Sequence, residues 1–223
     1  MGHEYTLWVG LFEVTILSLQ VTLTATVLAS LIGMPFGAWL ALTRFRARRW
    51  IIATLNALMG IPPVVVGLIV YVMLSRSGPI GVLNLLFTPT AMVIAQVIII
   101  LPLIASLAHQ ACRDLWAEYH DLMISLGSKK MQRIQVLLWD GRRALLTAAL
   151  AGFGRAIGEV GAIMIVGGNI DHATRVLTTS IALETSKGNL GFALALGGVL
   201  ILLSLTVSFA VHGLSRTERA SRW

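Results

Sequence analysis

Residues 152–169 read "GFGRAIGEVGAIMIVGGN", an apolar run that carries Arg155 and Glu159 four residues apart. How this stretch is read decides the fold, because it is either a membrane helix holding two charges or a soluble helix with an unusually bare surface. The rest of the chain decides between them. Hydrophobic residues make up 57% of the 223 and charged residues 12%, with a mean hydropathy of +0.84. A soluble domain carries about 25% charged residues, so this chain lacks a polar surface for water. Several apolar runs reach the roughly 20 residues that cross a bilayer as a helix.

The pattern predicts an all-α integral membrane protein of one domain, residues 1–223, with five spans at about 14–42, 50–74, 90–109, 144–167 and 190–213. Pro35, the Pro62-Pro63 pair and Pro102 fall inside the first three, where proline kinks or breaks a helix. Between the second and third spans, Ile80 to Phe87 is apolar but too short to cross, and is expected to lie at the interface or to re-enter. The N-terminal stretch has no Lys or Arg before its first apolar run, so it lacks the basic region of a signal peptide and the first span is expected to be retained.

Basic residues set the orientation. Of the 17 Lys and Arg, four lie in the first loop (Arg44, Arg46, Arg48, Arg49) and six in the third (Arg113, Lys129, Lys130, Arg133, Arg142, Arg143). Three more lie in the tail (Arg216, Arg219, Arg222). The other side has only Arg76, Arg175 and Lys187. The N-terminus is therefore expected outside and the C-terminus in the cytosol. This distribution also accounts for the net charge of +7 without a nucleic-acid partner, because the charges fall between spans and not on one face. Cys112 is the single cysteine, and the histidines have no metal-ligand spacing, so no metal site is expected.

The third loop, residues 110–143, is long. Leu115, Tyr119, Leu122, Met123 and Leu126 follow helical spacing, Gly127-Ser128 breaks it, and Ile134, Leu137 and Leu138 resume it. This predicts two short helices with Gly127 ending the first and Ser128 capping the second. An amphipathic pair on the lipid surface is the alternative.

Within that loop "DLMISLG", residues 121–127, resembles the EAA motif of binding-protein-dependent ABC importers, with Asp121 for Glu and Leu122 and Met123 for the two Ala. The following "LLWD" lacks the proline of the family's pattern. "GIPPVVVG" (residues 60–67) resembles the second-span motif of molybdate and tungstate permeases. Residues 154–188 resemble their penultimate span and outer loop, at Glu159, Gly161, Ala162, Gly168, Asn169, Ile170, Thr174 and Arg175. The resemblance covers about residues 14–213 and is nearest to the tungstate type.

That resemblance implies a permease subunit of an ATP-driven importer of a tetrahedral oxyanion. It implies as partners a second copy of the chain, two cytosolic ABC ATPase subunits and an external oxyanion-binding protein. Asp121, Leu122, Met123, Gly127, Lys129, Lys130 and Arg133 would couple to the ATPase. The chain has no phosphate-binding loop of its own, so it is expected to be no enzyme, with ATP and Mg held by the partner and no cofactor here.

The residues themselves leave two readings for the charged pair. Arg155 lies about 16 Å into its span at 1.5 Å per residue, near the midplane, where a lone charge costs from about 2.5 to over 10 kcal/mol. On one straight helix Arg155 and Glu159 share a face, either along an anion path or as a structural ion pair. Beside them Ala151, Gly154, Gly158 and Gly161 form a small-residue ladder for close helix approach. In the first span, Thr15, Ser18, Thr22, Thr26, Ser30, Gly33 and Gly37 form a stripe that suits a polar path or plain packing. Pro62, Pro63 and Asn169 complete the candidate path. The rival cargoes are molybdate and sulfate, and the rival machines are a secondary transporter with Glu159 as proton site and an intramembrane enzyme, which lacks a nucleophile–base pair.

Overall fold

A computed structural model describes residues 2–220, with side chains described for 10–209. Among these residues all regular structure is helical, so the predicted class holds. Arg222 lies outside the described residues, and the side chains of Arg216, Arg219 and His212 are likewise outside them.

The first helix, α1 (Gly2–Leu42), runs unbroken past Pro35. The second predicted span is two helices, α2 (Arg48–Leu58) and α3 (Pro63–Leu74), bent by 101°. The double proline, where the sequence marks a kink or break, explains the bend. Helix α2 ends at Leu58; Pro62, extended at φ −60° and ψ 124°, precedes α3, which Pro63 starts at the position where a missing N–H costs nothing. At 12 residues, α3 is about 18 Å long and too short to cross a bilayer core alone.

The third apolar segment belongs to a helix longer than the predicted span. Helix α4 (Pro89–Ser125) has 37 residues and passes through Pro102, about 55 Å in length. The first of the two predicted loop helices is its continuation, because no glycine or proline interrupts residues 103–126. Gly127, at φ +63°, then turns the chain into α5 (Lys130–Asp140). Ser128 does not cap α5. The cap position is Lys129, whose N–H donates to the Gln132 side chain at 2.7 Å.

The fourth span is also broken, into α6 (Arg142–Ile157) and α7 (Gly161–Gly167) with a 63° bend. A short helix, α8 (Leu177–Ser186), and a long apolar one, α9 (Leu190–Ala220), complete the chain. Among the described residues, three helices are long and apolar enough to cross a membrane, or up to five if each bent pair is one span.

Helix α4 is the axis of the bundle. Three apolar clusters stack along it: one with Val70, Met92 and Val166, one with Ala29, Ile100 and Ala156, and one with Ala38, Cys112 and Leu137. Alanine and glycine dominate the contacts because close approach of backbones is what packs helices in lipid. A Cβ on Gly37 of α1 would stand 2.6 Å from the carbonyl oxygen of Ala105 on α4, and one on Gly67 of α3 would stand 2.6 Å from Cα of Ala162 on α7. The two charge poles of the sequence are poles of the fold. Arg48 lies beside His109 and Lys130 over Trp39 at the basic end, while Glu13 meets His172 at the other. That opposite end is closed by residues 80–87, a 3-10 turn (Gly81–Leu83) followed by Phe87, whose N–H donates to the carbonyl of Val166 at 2.9 Å.

Candidate functional site

The break between α6 and α7 brings together residues from four helices. Gly158 closes α6, and Glu159 donates its N–H back to the carbonyl of Ala156 at 3.1 Å. The next turn starts at Gly161, and the Glu159 carboxylate accepts from the N–H of Ala162 at 3.0 Å. A carboxylate is favoured there because the first turn of a helix has unpaired N–H groups and a positive dipole end. Two side chains hold the unwound carbonyls. Gln96 of α4 donates to the Ala156 carbonyl at 3.0 Å, and Thr178 of α8 donates to the Glu159 carbonyl at 3.0 Å.

This corrects the one-face reading of Arg155 and Glu159. The bend turns Glu159 into the α7 cap, and Arg155 has no hydrogen bond or ion pair among the described residues. Arg155 is exposed in the last turn of α6, beside exposed Ala151, Gly154 and Gly158. The small-residue ladder divides in the same way. A Cβ on Gly154 would meet nothing within 4 Å, whereas Gly161 packs against Val64. Neighbouring Ala156 packs with Ile99 and Ile100 halfway along the apolar part of α4, so Arg155 is an unpartnered guanidinium at mid-depth. Its cost in lipid is several kcal/mol, about 2.5 or more, and the face that carries it calls for water or another chain.

The hydroxyl stripe of α1 faces inward. Ser18, Thr22 and Thr26 are buried, and Gly33 and Gly37 lie against α4. Thr15 and Thr26 return their hydroxyls to carbonyls four residues back, at 2.7 and 2.8 Å. Ser18 donates to the Val14 carbonyl and accepts from the N–H of Leu177 at 2.7 Å, pinning the start of α8. The stripe is a packing seam in this conformation. Thr22 also borders a cavity of about 10 Å³ with Ser18, Gln96 and Thr178, while Thr26 and Ser30 border an apolar groove between α1 and α6.

Pro62 and Pro63 stand at the α2–α3 break, on the element packed against α7. Asn169 follows Gly168 at the end of α7, both at positive φ (49° and 72°), and its side-chain oxygen is buried without a partner among the described residues. Arg175 is paired with Asp171 at 2.6 Å and Lys187 with Glu184 at 2.7 Å.

The α4–α5 elbow projects from the basic end. Gly127 lies 18 residues beyond His109, where the apolar run ends, or about 27 Å along the helix direction. Leu122, Ile124, Leu126 and Met131 are exposed there, and Lys129 and Lys130 flank them. Below the tip, the elbow is rigid. Ser128 donates to the Met123 carbonyl at 2.6 Å and accepts from Arg133 at 3.0 Å, and Arg133 stacks over Trp116. The Tyr119 hydroxyl is held by Asp140. Asp121 is exposed and bonded to His120 at 2.8 Å. The elbow is thus a protruding apolar knuckle with a basic rim.

Sequence reasoning missed Gln96 and Thr178. Gln96 had a signal, since it is the one polar side chain inside "AMVIAQVIIILPL" (residues 91–103). Thr178 had none, because its role depends on α8 folding back onto the break.

The sequence is similar to those of known transport proteins. Residues 33–219 match the family described as binding-protein-dependent transport system inner membrane component. The chain is 39% identical over 203 residues to the tungstate uptake system permease protein TupB of Peptoclostridium acidaminophilum, covering 91% of this chain and 89% of that one. It is 37% identical to a probable anion ABC transporter permease protein of Haloferax volcanii, covering 89% and 88%. It is 29% identical to the molybdenum transport system permease protein ModB of Azotobacter vinelandii, covering 90% and 92%.

Proposed function

Because the chain belongs to the family of binding-protein-dependent transport system inner membrane components, we propose that it carries a tetrahedral oxyanion, tungstate before molybdate or sulfate, through the inner membrane in an ATP-driven importer. The observation that carries the cargo assignment is the higher identity to a tungstate permease than to a molybdenum permease over comparable lengths. The anion permease relative supports the same ligand class.

The chain works with a second copy of itself, two cytosolic ABC ATPases and an external binding protein. Its N-terminus is outside and its C-terminus in the cytosol, as the concentration of Arg and Lys at one end of the fold supports. Residues 110–143 are the coupling region, and the elbow at Gly127 enters the ATPase. Closure of the ATPases on ATP then moves α4 and α5 as one lever, because Arg133, Ser128 and Tyr119 lock them together.

The open face of α6 lines the route between the two copies. Arg155 supplies a positive field there, and no carboxylate among the described residues is paired with it. A guanidinium partly hydrated in the route attracts a dianion without a well too deep to leave. The breaks at Pro62-Pro63 and at Gly158 let the route change shape, since both interrupt helices beside it.

The test is uptake into vesicles by the co-expressed complex, with tungstate, molybdate and sulfate in competition. ATP-dependent uptake that tungstate inhibits most strongly supports the assignment. Uptake that persists without the ATPase and collapses with an uncoupler would identify a proton-coupled transporter instead.

A further inference from the structure

A strongly basic pocket lies at the basic end, away from the candidate route. Arg44, Arg48, Arg113, Trp116, His120 and Asp121 line a pocket of about 400 Å³ where the end of α1 and the start of α2 meet α4. Its charge is unbalanced. Arg48 is fixed by donating to the Leu40 carbonyl at 2.9 Å and by a 3.3 Å contact to His109, neither of them a carboxylate. Arg44 has no hydrogen bond or ion pair among the described residues. Arg113 has only a 3.5 Å contact to Asp114, with both side chains more than half exposed, which is worth little. Asp121, the one carboxylate in the lining, is engaged by His120 at 2.8 Å.

The membrane-side lining of the pocket, with Arg113, bears on the kind of anion. His109 ends the apolar run of α4, and Arg113 is one turn beyond it, about 6 Å. The headgroup layer on each side of a bilayer core is about 5–8 Å thick, so Arg113 stands within it. Phe36 stacks on Trp39 at 5.8 Å, and Trp39 meets Phe45 in a tilted contact at 5.6 Å, an aromatic series of the kind found at a membrane interface. A groove of Arg44, Phe45, Arg48, Arg49 and Ile52 adjoins the pocket. It leads to α2, whose Trp50 is 75% and Leu58 38% exposed. Guanidinium groups bind phosphate oxygens in pairs, and basic pockets between membrane helices hold anionic headgroups. The apolar flank suits a ligand with acyl chains and offers nothing to an inorganic ion.

We propose that this pocket binds the phosphate of an anionic phospholipid headgroup, and that the groove along α2 takes its acyl chains. The site is independent of the cargo.

The experiment uses the full-length permease with its ATPase in mixed micelles. Retention of phosphatidylglycerol is measured by native mass spectrometry against phosphatidylcholine, inorganic phosphate and tungstate. Phosphatidylglycerol is expected to be retained over phosphatidylcholine. Arg44→Gln with Arg113→Gln should weaken it by about 30-fold, from about 1 kcal/mol per basic residue and 1.4 kcal/mol per factor of ten. The Lys double variant should keep most of the affinity, and Arg76→Gln at the opposite end should keep all of it. Equal retention in the Gln double variant would overturn the assignment. So would binding of phosphate or tungstate with no preference between the two lipids, which would make this a free-anion site.

Discussion

The side chain of Gln96 donates to the carbonyl oxygen of Ala156 at 3.0 Å, across 60 residues of sequence. That carbonyl also takes the N–H of Glu159, so one atom holds both the central helix and the unwound turn. Gln96 is 1% exposed. Its replacement by Leu keeps the size and removes the bond. We expect Gln96→Leu to lower stability by about 0.6–2 kcal/mol, the range for buried polar contacts between membrane helices. Uptake should fall by more than the lost folded fraction, because the turn between α6 and α7 loses its fixed geometry. Thermal unfolding in detergent beside transport of the same preparation checks this.

Arg155 and Glu159 act separately in this fold, although four residues separate them. Glu159→Ala removes the α7 cap and should cost about 1 kcal/mol. Arg155→Ala leaves the fold's internal bonds intact and should reduce transport at little cost in stability. The double variant should then equal the sum of the singles to within about 0.5 kcal/mol, as for non-contacting sites. Coupling well above that in a double-mutant cycle would show that the two pair after all.

The two glycine environments predict opposite results. Gly37→Ala drives a methyl into backbone atoms of α4 at 2.6 and 2.7 Å and should cost about 1–3 kcal/mol, the range for overpacking. Gly154→Ala meets nothing within the chain, and its intrinsic helix preference is favourable. Monomer stability should hold or rise slightly. If transport or chemical cross-linking between copies falls in Gly154→Ala, the α6 face is where they meet.

How much of this was legible in the sequence depends on where each interaction is made. The helical class and the polarity of the two ends follow from composition and from Arg and Lys positions, which need no tertiary knowledge. Gly127 was legible because a single glycine between two periodic segments needs a local reason, and its φ of +63° supplies one. The double proline marked a kink or break at Pro62-Pro63, but the break at Gly158 was not read as one. Hydropathy continues through it, and what stabilises it is distant: Gln96 and Thr178. The Arg155–Glu159 pairing failed for the same reason, since helical spacing implies a shared face only while the helix continues. Ser128 failed as a cap because Arg133 and the Met123 carbonyl take its hydroxyl.

Gly127 gives the prediction that bears on coupling. Its φ of +63° costs a side-chain-bearing residue about 1–2 kcal/mol, and open space surrounds its Cα. Gly127→Val should therefore fold with a slight loss of stability. Its elbow would re-aim Leu126 and Lys129 by relaxing toward negative φ. We expect ATP-driven uptake to fall by an order of magnitude or more, about 1.4 kcal/mol per factor of ten, with the permease still present in the membrane. Co-purification with the ATPase separates lost docking from lost transmission.

The remaining prediction concerns pH at the opposite end. His172 contacts the Glu13 carboxylate at 2.8 Å, joining the start of α1 to the loop after α7. The hydrogen bond to Glu13, with the nearby Asp171 charge, raises the His172 pKa above 6.5. A raised folded-state pKa means the folded form binds the proton more tightly, so the stabilisation is complete below the unfolded value of about 6.5. It is lost as pH rises through the higher folded value. Both side chains are at least half exposed, so the effect is small and screened by salt. The melting temperature of the wild type should exceed that of His172→Gln at pH 5.5, and the gap should close by pH 8.5. A gap that is constant across this range, or that widens with pH, would show that the contact carries no charge.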